Sequence, residues 1–228
     1  MRIIRIIATV ATTFALVSCN FVQVNGKLLG KYVKGEGETV EKSYTINDIK
    51  HFNCNVPAEI TLTNGAPSLE ISTSENIFDV LCVEAEGDNL VIKGADDCNF
   101  RDTRVRINLS CSGLEEMIAN GAVDMKTPEG LDVGSISIVI NGAFNWETDN
   151  LTGDSVKMVV NGAGNCEISG IDLQNLFLQV DGAGNFELEG KAVSAKVILN
   201  GAGNIDVENL KSDNLDTNIH GLGRVKRN

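Results

Sequence analysis

Four carboxylates, Glu147, Glu167, Glu187 and Asp206, recur at one phase of the chain, each directly after an apolar residue: Trp146, Cys166, Phe186 and Ile205. If each repeat forms one rung of a stack, these side chains point outward on neighbouring rungs about 4.8 Å apart. Like charges at that distance repel by roughly 0.8 kcal/mol per pair in bulk water, and by less in salt. A divalent cation such as calcium would relieve the repulsion, which makes the column a weak calcium candidate; the commoner fate of such a charge run is a splayed, solvated face. The stretch GAGNID from Gly201 to Asp206 is similar to calcium-binding glycine-rich repeats, but those have a period of about nine residues, and here the period is about 20. No other cofactor is expected.

Catalytic chemistry has little to stand on. His51 and His220 are the only histidines, and no Ser/His/Asp or paired-carboxylate arrangement occurs at a usable spacing, so the chain reads as a non-enzyme. Of the six cysteines, Cys54, Cys82, Cys98 and Cys111 would allow three connectivities in an oxidising compartment, while Cys166 stands apart within the repeats. The alternative is that they pack as buried thiols. No CxxC pair or histidine cluster accompanies them, which argues against zinc or redox chemistry.

What must position these residues is a repeat. Asn120-Gly121-Ala122, Asn141-Gly142-Ala143, Asn161-Gly162-Ala163, Asp181-Gly182-Ala183, Asn200-Gly201-Ala202 and His220-Gly221-Leu222 recur about every 20 residues, the mark of an architecture with one coil per repeat. Glycines at Gly142, Gly162, Gly164, Gly182, Gly184, Gly201 and Gly203 supply corner backbone angles, and Asn141, Asn161, Asp181 and Asn200 fall into one column whose side chains can bond along the stack. A phosphate cradle is a poor fit, since no Lys-Ser/Thr follows the glycines and no helix starts there.

Before each turn the alternation of apolar residues predicts an inward row: Ile136, Ile138 and Ile140, then Val156, Met158 and Val160, then Leu176, Leu178 and Val180, then Ala195, Val197 and Leu199, then Leu215, Thr217 and Ile219. After the turn, Trp146, Cys166, Phe186 and Ile205 begin a second row, and a third corner carries Leu151, Ile171 or Leu173, Val193 and Leu210. Three apolar-inside faces per coil predict an all-β fold, a parallel β-helix that is right-handed by the usual crossover rule. A β-sandwich is the competing fold, but hairpins would not return the same turn at the same phase. Ile118, Val139, Val159 and Ile198 point outward two residues before the turn, forming a candidate contact stripe unless another part of the chain covers it.

Residues 39–110 read as a short-stranded β part preceding the repeats of residues 111–228, with strands over 59–63, 68–72, 89–93 and 104–109. One or two helical turns are expected between Glu75 and Cys82, and Asn64-Gly65-Ala66 reads as an outlying copy of the turn. Residues 19–38 read as a flexible, glycine-containing tether. Ahead of them, Arg2 and Arg5 precede an apolar run that ends in Leu16-Val17-Ser18-Cys19, the pattern of a lipoprotein signal peptide over residues 1–18 with Cys19 as the lipidated residue. The run falls short of the roughly 20 residues a membrane span needs. The expected location is therefore the cell envelope, as an outer-membrane lipoprotein facing either the periplasm or the outside, with the membrane engaged through the lipid. A net charge of -12 argues against nucleic acid as a partner, and the basic tail Arg224, Lys226 and Arg227 reads as a solvated end.

The turns at a spacing of about 20, the acidic secretory context and the closing His220-Gly221-Leu222-Gly223 together resemble the auto-transporter adhesin head GIN domain family, also called DUF2807, over roughly residues 44–225. The resemblance implies an adhesin-like binding or structural module without catalytic residues, its partner a glycan, an envelope protein or another copy of itself. Two alternatives are a periplasmic envelope scaffold with no external ligand, favoured by the lack of acidic residues in Asn20-Phe21-Val22-Gln23, and a carbohydrate-active β-helix enzyme, disfavoured because the repeats leave no residues for long cleft-forming loops. Asp154-Ser155-Val156 also fits a three-residue bacterial O-glycosylation pattern, which is met often by chance; a turn is the simpler reading.

Overall fold

A computed structural model describes residues 31–95 and 98–227. The expected signal peptide, Cys19 and the first part of the tether lie outside them. The described residues are almost entirely β, with one short 3-10 turn among them at Glu75–Ile77, inside the segment expected to be helical. In chain order the strands are β1 (Lys31–Lys34), β2 (Thr39–Tyr44), β3 (His51–Asn55), β4 (Ala58–Thr63), β5 (Ser68–Ser74), β6 (Leu81–Glu86) and β7 (Asn89–Gly94). They continue as β8 (Cys98–Arg101), β9 (Val105–Ser110), β10 (Glu116–Lys126), β11 (Leu131–Thr148), β12 (Leu151–Asp206), β13 (Leu210–Gly221) and β14 (Arg224–Lys226).

The large sheet is mixed and open, with β13 at one end of its path and β2 at the other. Its repeat portion pairs in parallel at constant phase, Asn120 with Asn141 and Asn141 with Asn161, and later Asn200 with His220. Parallel pairing of this kind excludes hairpins between successive repeats. β12 is one extended run that nonetheless returns on itself: Asn185 Nδ2 donates to Asn165 Oδ1 at 3.2 Å, whereas a straight strand would set residues 20 apart about 66 Å from each other. The run therefore bends back on itself, bringing residues about 20 apart into contact.

The N-terminal part does not simply precede the stack. β3 and β4 lie in parallel against β10, and β7 and β9 lie in parallel against β3 and β4, so residues 51–63 and 89–110 supply two further layers. The antiparallel strands β2, β5 and β6 close this end. The tether is also shorter than expected: β1 pairs with β8, and the Gly35 amide donates to Thr103 Oγ1 at 2.8 Å, so residues 31–38 are part of the fold.

One continuous apolar core runs through all layers, from Ile49 and Phe52 to Val207 and Leu210. Four expected inward positions are not fully buried: Leu215 and Thr217 are half-buried, and Val193 and Ile219 are exposed. Val193 is 46% exposed because the spacing shortens by one residue near Gly190, where a Cβ would meet the backbone of Ile171, 19 residues back. With a side-chain period of two, that single step turns Val193 outward and brings Ala192 in. Ile219 is 44% exposed because it lies on β13, the last strand of the sheet path, where no further coil covers it.

The corner glycines are sterically required. Gly142 adopts φ +147°, and a Cβ there would meet the Gly121 carbonyl oxygen at 2.1 Å. Gly134, in contrast, has open space where a Cβ would go. Gly142→Ala should lower unfolding stability by about 2–4 kcal/mol, whereas Gly134→Ala should change it by less than about 0.5 kcal/mol, as urea titrations would show.

Candidate functional site

Constant phase turns each recurring residue into a column. The first column is the one anticipated at the turn. Asn141 Nδ2 donates to Asn120 Oδ1 at 2.7 Å, Asn161 to Asn141 at 2.8 Å, and Asn120 to Asn55 Oδ1 at 2.5 Å. The ladder breaks between Asn161 and Asp181, since a carboxylate has no hydrogen to donate; Asp181 instead accepts from Gln179 and Asn200. The early member is Asn55 and not the expected Asn64. The Asn64 side chain exchanges two hydrogen bonds with the Asp132 backbone, both at 2.8 Å, and so imitates a strand partner for the next layer.

A second ladder was not anticipated. Asn145 donates to Asp124, Asn165 to Asn145, Asn185 to Asn165 and Asn204 to Asn185, at 2.7–3.3 Å. The signal for it was the last residue of each NGAGN turn, which recurs in phase just as the first does. Beside it Glu147 pairs in register with Glu167, and Glu187 and Asp206 line the same face. Together the two columns line a shallow groove of about 740 Å³ along the outside of the stack.

Cations close both ends of this face. Lys126 pairs in register with Glu147, and Arg104 and Arg106 bridge to Glu59 at 3.2 and 3.0 Å. At the far end Lys226 reaches Asp206 at 3.2 Å and also Glu208. The Glu208 backbone amide and the Lys226 ammonium hold the Asp206 carboxyl below the usual range. The basic tail is therefore engaged rather than simply solvated, with Arg227 also donating to Thr217 Oγ1 at 3.2 Å. Between these ends, Glu147, Glu167 and Glu187 are exposed, and the ion pairs among the described residues do not include them. No group of three or more His, Cys, Asp or Glu side chains among the described residues converges to hold a metal.

The stripe of Ile118, Val139, Val159 and Ile198 is half-buried, flanked by the amide column, and it continues into Asn53 and Val91. Cys54, Cys111 and Cys166 are buried free thiols, and Cys98 is a partly exposed one. Burial pushes the Cys54 and Cys111 thiols up to about 11, and raises Cys166 further still. His51 lies 3.7 Å from Glu116, and His220 occupies the last rung of the turn column.

The geometry defines a class: an all-β stack of in-phase layers whose recurring outward residues form long polar arrays. The model of the family described as "Putative auto-transporter adhesin, head GIN domain" matches residues 51–228, and the chain belongs to that family. Solved structures share the fold. A putative adhesin from Parabacteroides distasonis ATCC 8503 is 18% identical with a TM-score of 0.67, over 86% of this chain and 84% of that one. A putative lipid binding protein from the same organism is 21% identical with a TM-score of 0.65, over 87% and 100%. A putative adhesin from Bacteroides fragilis NCTC 9343 is 15% identical with a TM-score of 0.62, over 86% and 100%. None of the curated proteins matches the chain. No helix among the described residues is long and apolar enough to cross a membrane.

Two measurements follow. Glu167→Gln relieves two neighbouring repulsions and should raise stability by less than about 1 kcal/mol at low salt, with the gain vanishing near 1 M NaCl. Among Cys54, Cys98, Cys111 and Cys166, brief alkylation of native protein at pH 8 should modify Cys98 first and leave Cys166 unmodified until denaturant is added, as peptide mass spectrometry would show.

Proposed function

We propose that this protein is a non-enzymatic, adhesin-like module of the cell envelope, anchored to the outer membrane by lipid on Cys19. In this reading its coils wind as a right-handed parallel β-helix, and the face bearing the second amide ladder and the acidic column contacts a glycan chain. The observation that carries the reading is the open groove itself. Each ladder amide spends one N–H on its neighbour and keeps its other N–H available, so donors and carboxylate acceptors alternate across the face at every rung. A chain of hydroxyl-bearing units meets such an array repeatedly along its length, and many weak contacts add up through multivalency.

The short corners support a binding role over catalysis, since they build no deep cleft around a reactive group. Family membership supports the adhesin-like character. The periplasmic scaffold reading keeps one specific point in its favour, the absence of acidic residues in Asn20-Phe21-Val22-Gln23 after Cys19.

Protease shaving of intact cells tests the location. The wild-type chain should be lost from intact cells and should fractionate with membranes, while Cys19→Ser should leave it soluble. Protection until lysis would favour the periplasmic scaffold and overturn display to an external glycan.

A further inference from the structure

Beside β11 the stack opens a second hollow of about 650 Å³, separate from the amide and carboxylate face. Three local features make it. The segment Cys111–Leu114 leaves the sheet on its way from β9 to β10, and Asp48 pins it there by accepting from the Ser112 amide at 2.9 Å and the Ser112 hydroxyl at 2.8 Å. The layer below the first third-face strand is reduced to the Asn64 side chain bonded to the Asp132 backbone. Gly134 leaves the lip bare, whereas the same phase one coil later carries Asp154.

The lining has the character of a sugar site rather than an accident of packing. Its floor is apolar, from Leu114, Leu131 and Val133. Its wall is a square of outward side chains set by register, Ser135 beside Ser155 and Ser137 beside Lys157. None of these four side chains makes a hydrogen bond or ion pair to another described residue, although every Asn in the neighbouring turn ladder does. The lining also includes Glu115, paired with Lys50 at 2.6 Å, and Asp132. One ammonium and one remaining carboxylate nearly cancel, so the hollow offers mixed donors and acceptors over an apolar floor without a net charge. That combination suits a pyranose ring, which has one C–H face and a rim of hydroxyls that both donate and accept.

We propose that this hollow is a binding site for a single neutral hexopyranose residue. The site is independent of the glycan reading for the amide face, because it uses none of the same residues. Lys157 and the three serines hold the hydroxyls, Leu114, Leu131 and Val133 meet the ring's C–H face, and the bare lip at Gly134 admits the sugar.

The test is amide chemical-shift mapping on the full mature chain, titrated with methyl β-D-glucopyranoside and methyl β-D-galactopyranoside, with glycine as a zwitterionic control. At least one glycoside should shift the amides of residues 112–115, 134–137 and 155–157, with a Kd on the order of 1–10 mM, as expected for one sugar with few contacts. Gly134→Phe, which plugs the lip where a Cβ has open space, should abolish the shifts, and Ser155→Val with Lys157→Met should weaken binding at least about fivefold, with unchanged unfolding midpoints for each variant confirming the fold. Silence with both glycosides up to about 50 mM, shifts confined to the amide face, or glycine binding in place of the sugars would each overturn the proposal. Glu167→Gln should leave this binding unchanged, so loss of polysaccharide binding on the amide face and loss of sugar binding here are separable.

Discussion

Everything in this molecule depends on one constraint: the backbone of each coil hydrogen-bonds to the coil below it without a change of phase. Parallel pairing at constant phase forces residues 19 to 21 positions apart to share an environment. An apolar residue facing inward must then stack on apolar residues, and a corner glycine must stack on a corner where only glycine fits, as Gly142 does over Gly121. Chemistry on the outside follows the same rule, which is how single asparagines become ladders and single glutamates become a column.

The constraint also explains where cost accumulates and where it is offset. A column of carboxylates is repulsive, but the adjoining amide ladder is attractive and occupies the same rungs, so the face is held in register by hydrogen bonds while its charges remain in water. Lysine and arginine appear at its two ends, at Lys126, Arg104 and Lys226, where the run stops. At the turn column, Asp181 shows the limit of such ladders: one residue without a hydrogen to donate breaks the chain of bonds, and Gln179 fills the space.

The repeat portion was legible because periodicity is a local property. The inward rows from Ile136 to Leu199, the turn glycines and the phase of Glu147, Glu167, Glu187 and Asp206 all follow from counting, and most of these apolar positions are buried. The misses share a cause. Val193 and Asn64 lie where the count slips or where a segment distant in sequence enters the stack, and neither event leaves a periodic trace. The order of the early layers, with residues 89–110 beneath residues 51–63, depends on pairings across long separations. The hollow beside Ser135 and Lys157 is likewise a property of missing neighbours, and a sequence shows which residues are present far better than which contacts are absent.

The bond from Asn120 to Asn55 spans 65 residues, while the bond from Asn161 to Asn141 spans 20. Closing the longer loop costs about 1 kcal/mol more chain entropy before any contact rewards it. The uniform coils can each form from a short stretch of chain and template the next, whereas the early layers gain most once β10 already presents an edge. The asymmetry makes the later layers the less costly place for pairing to begin.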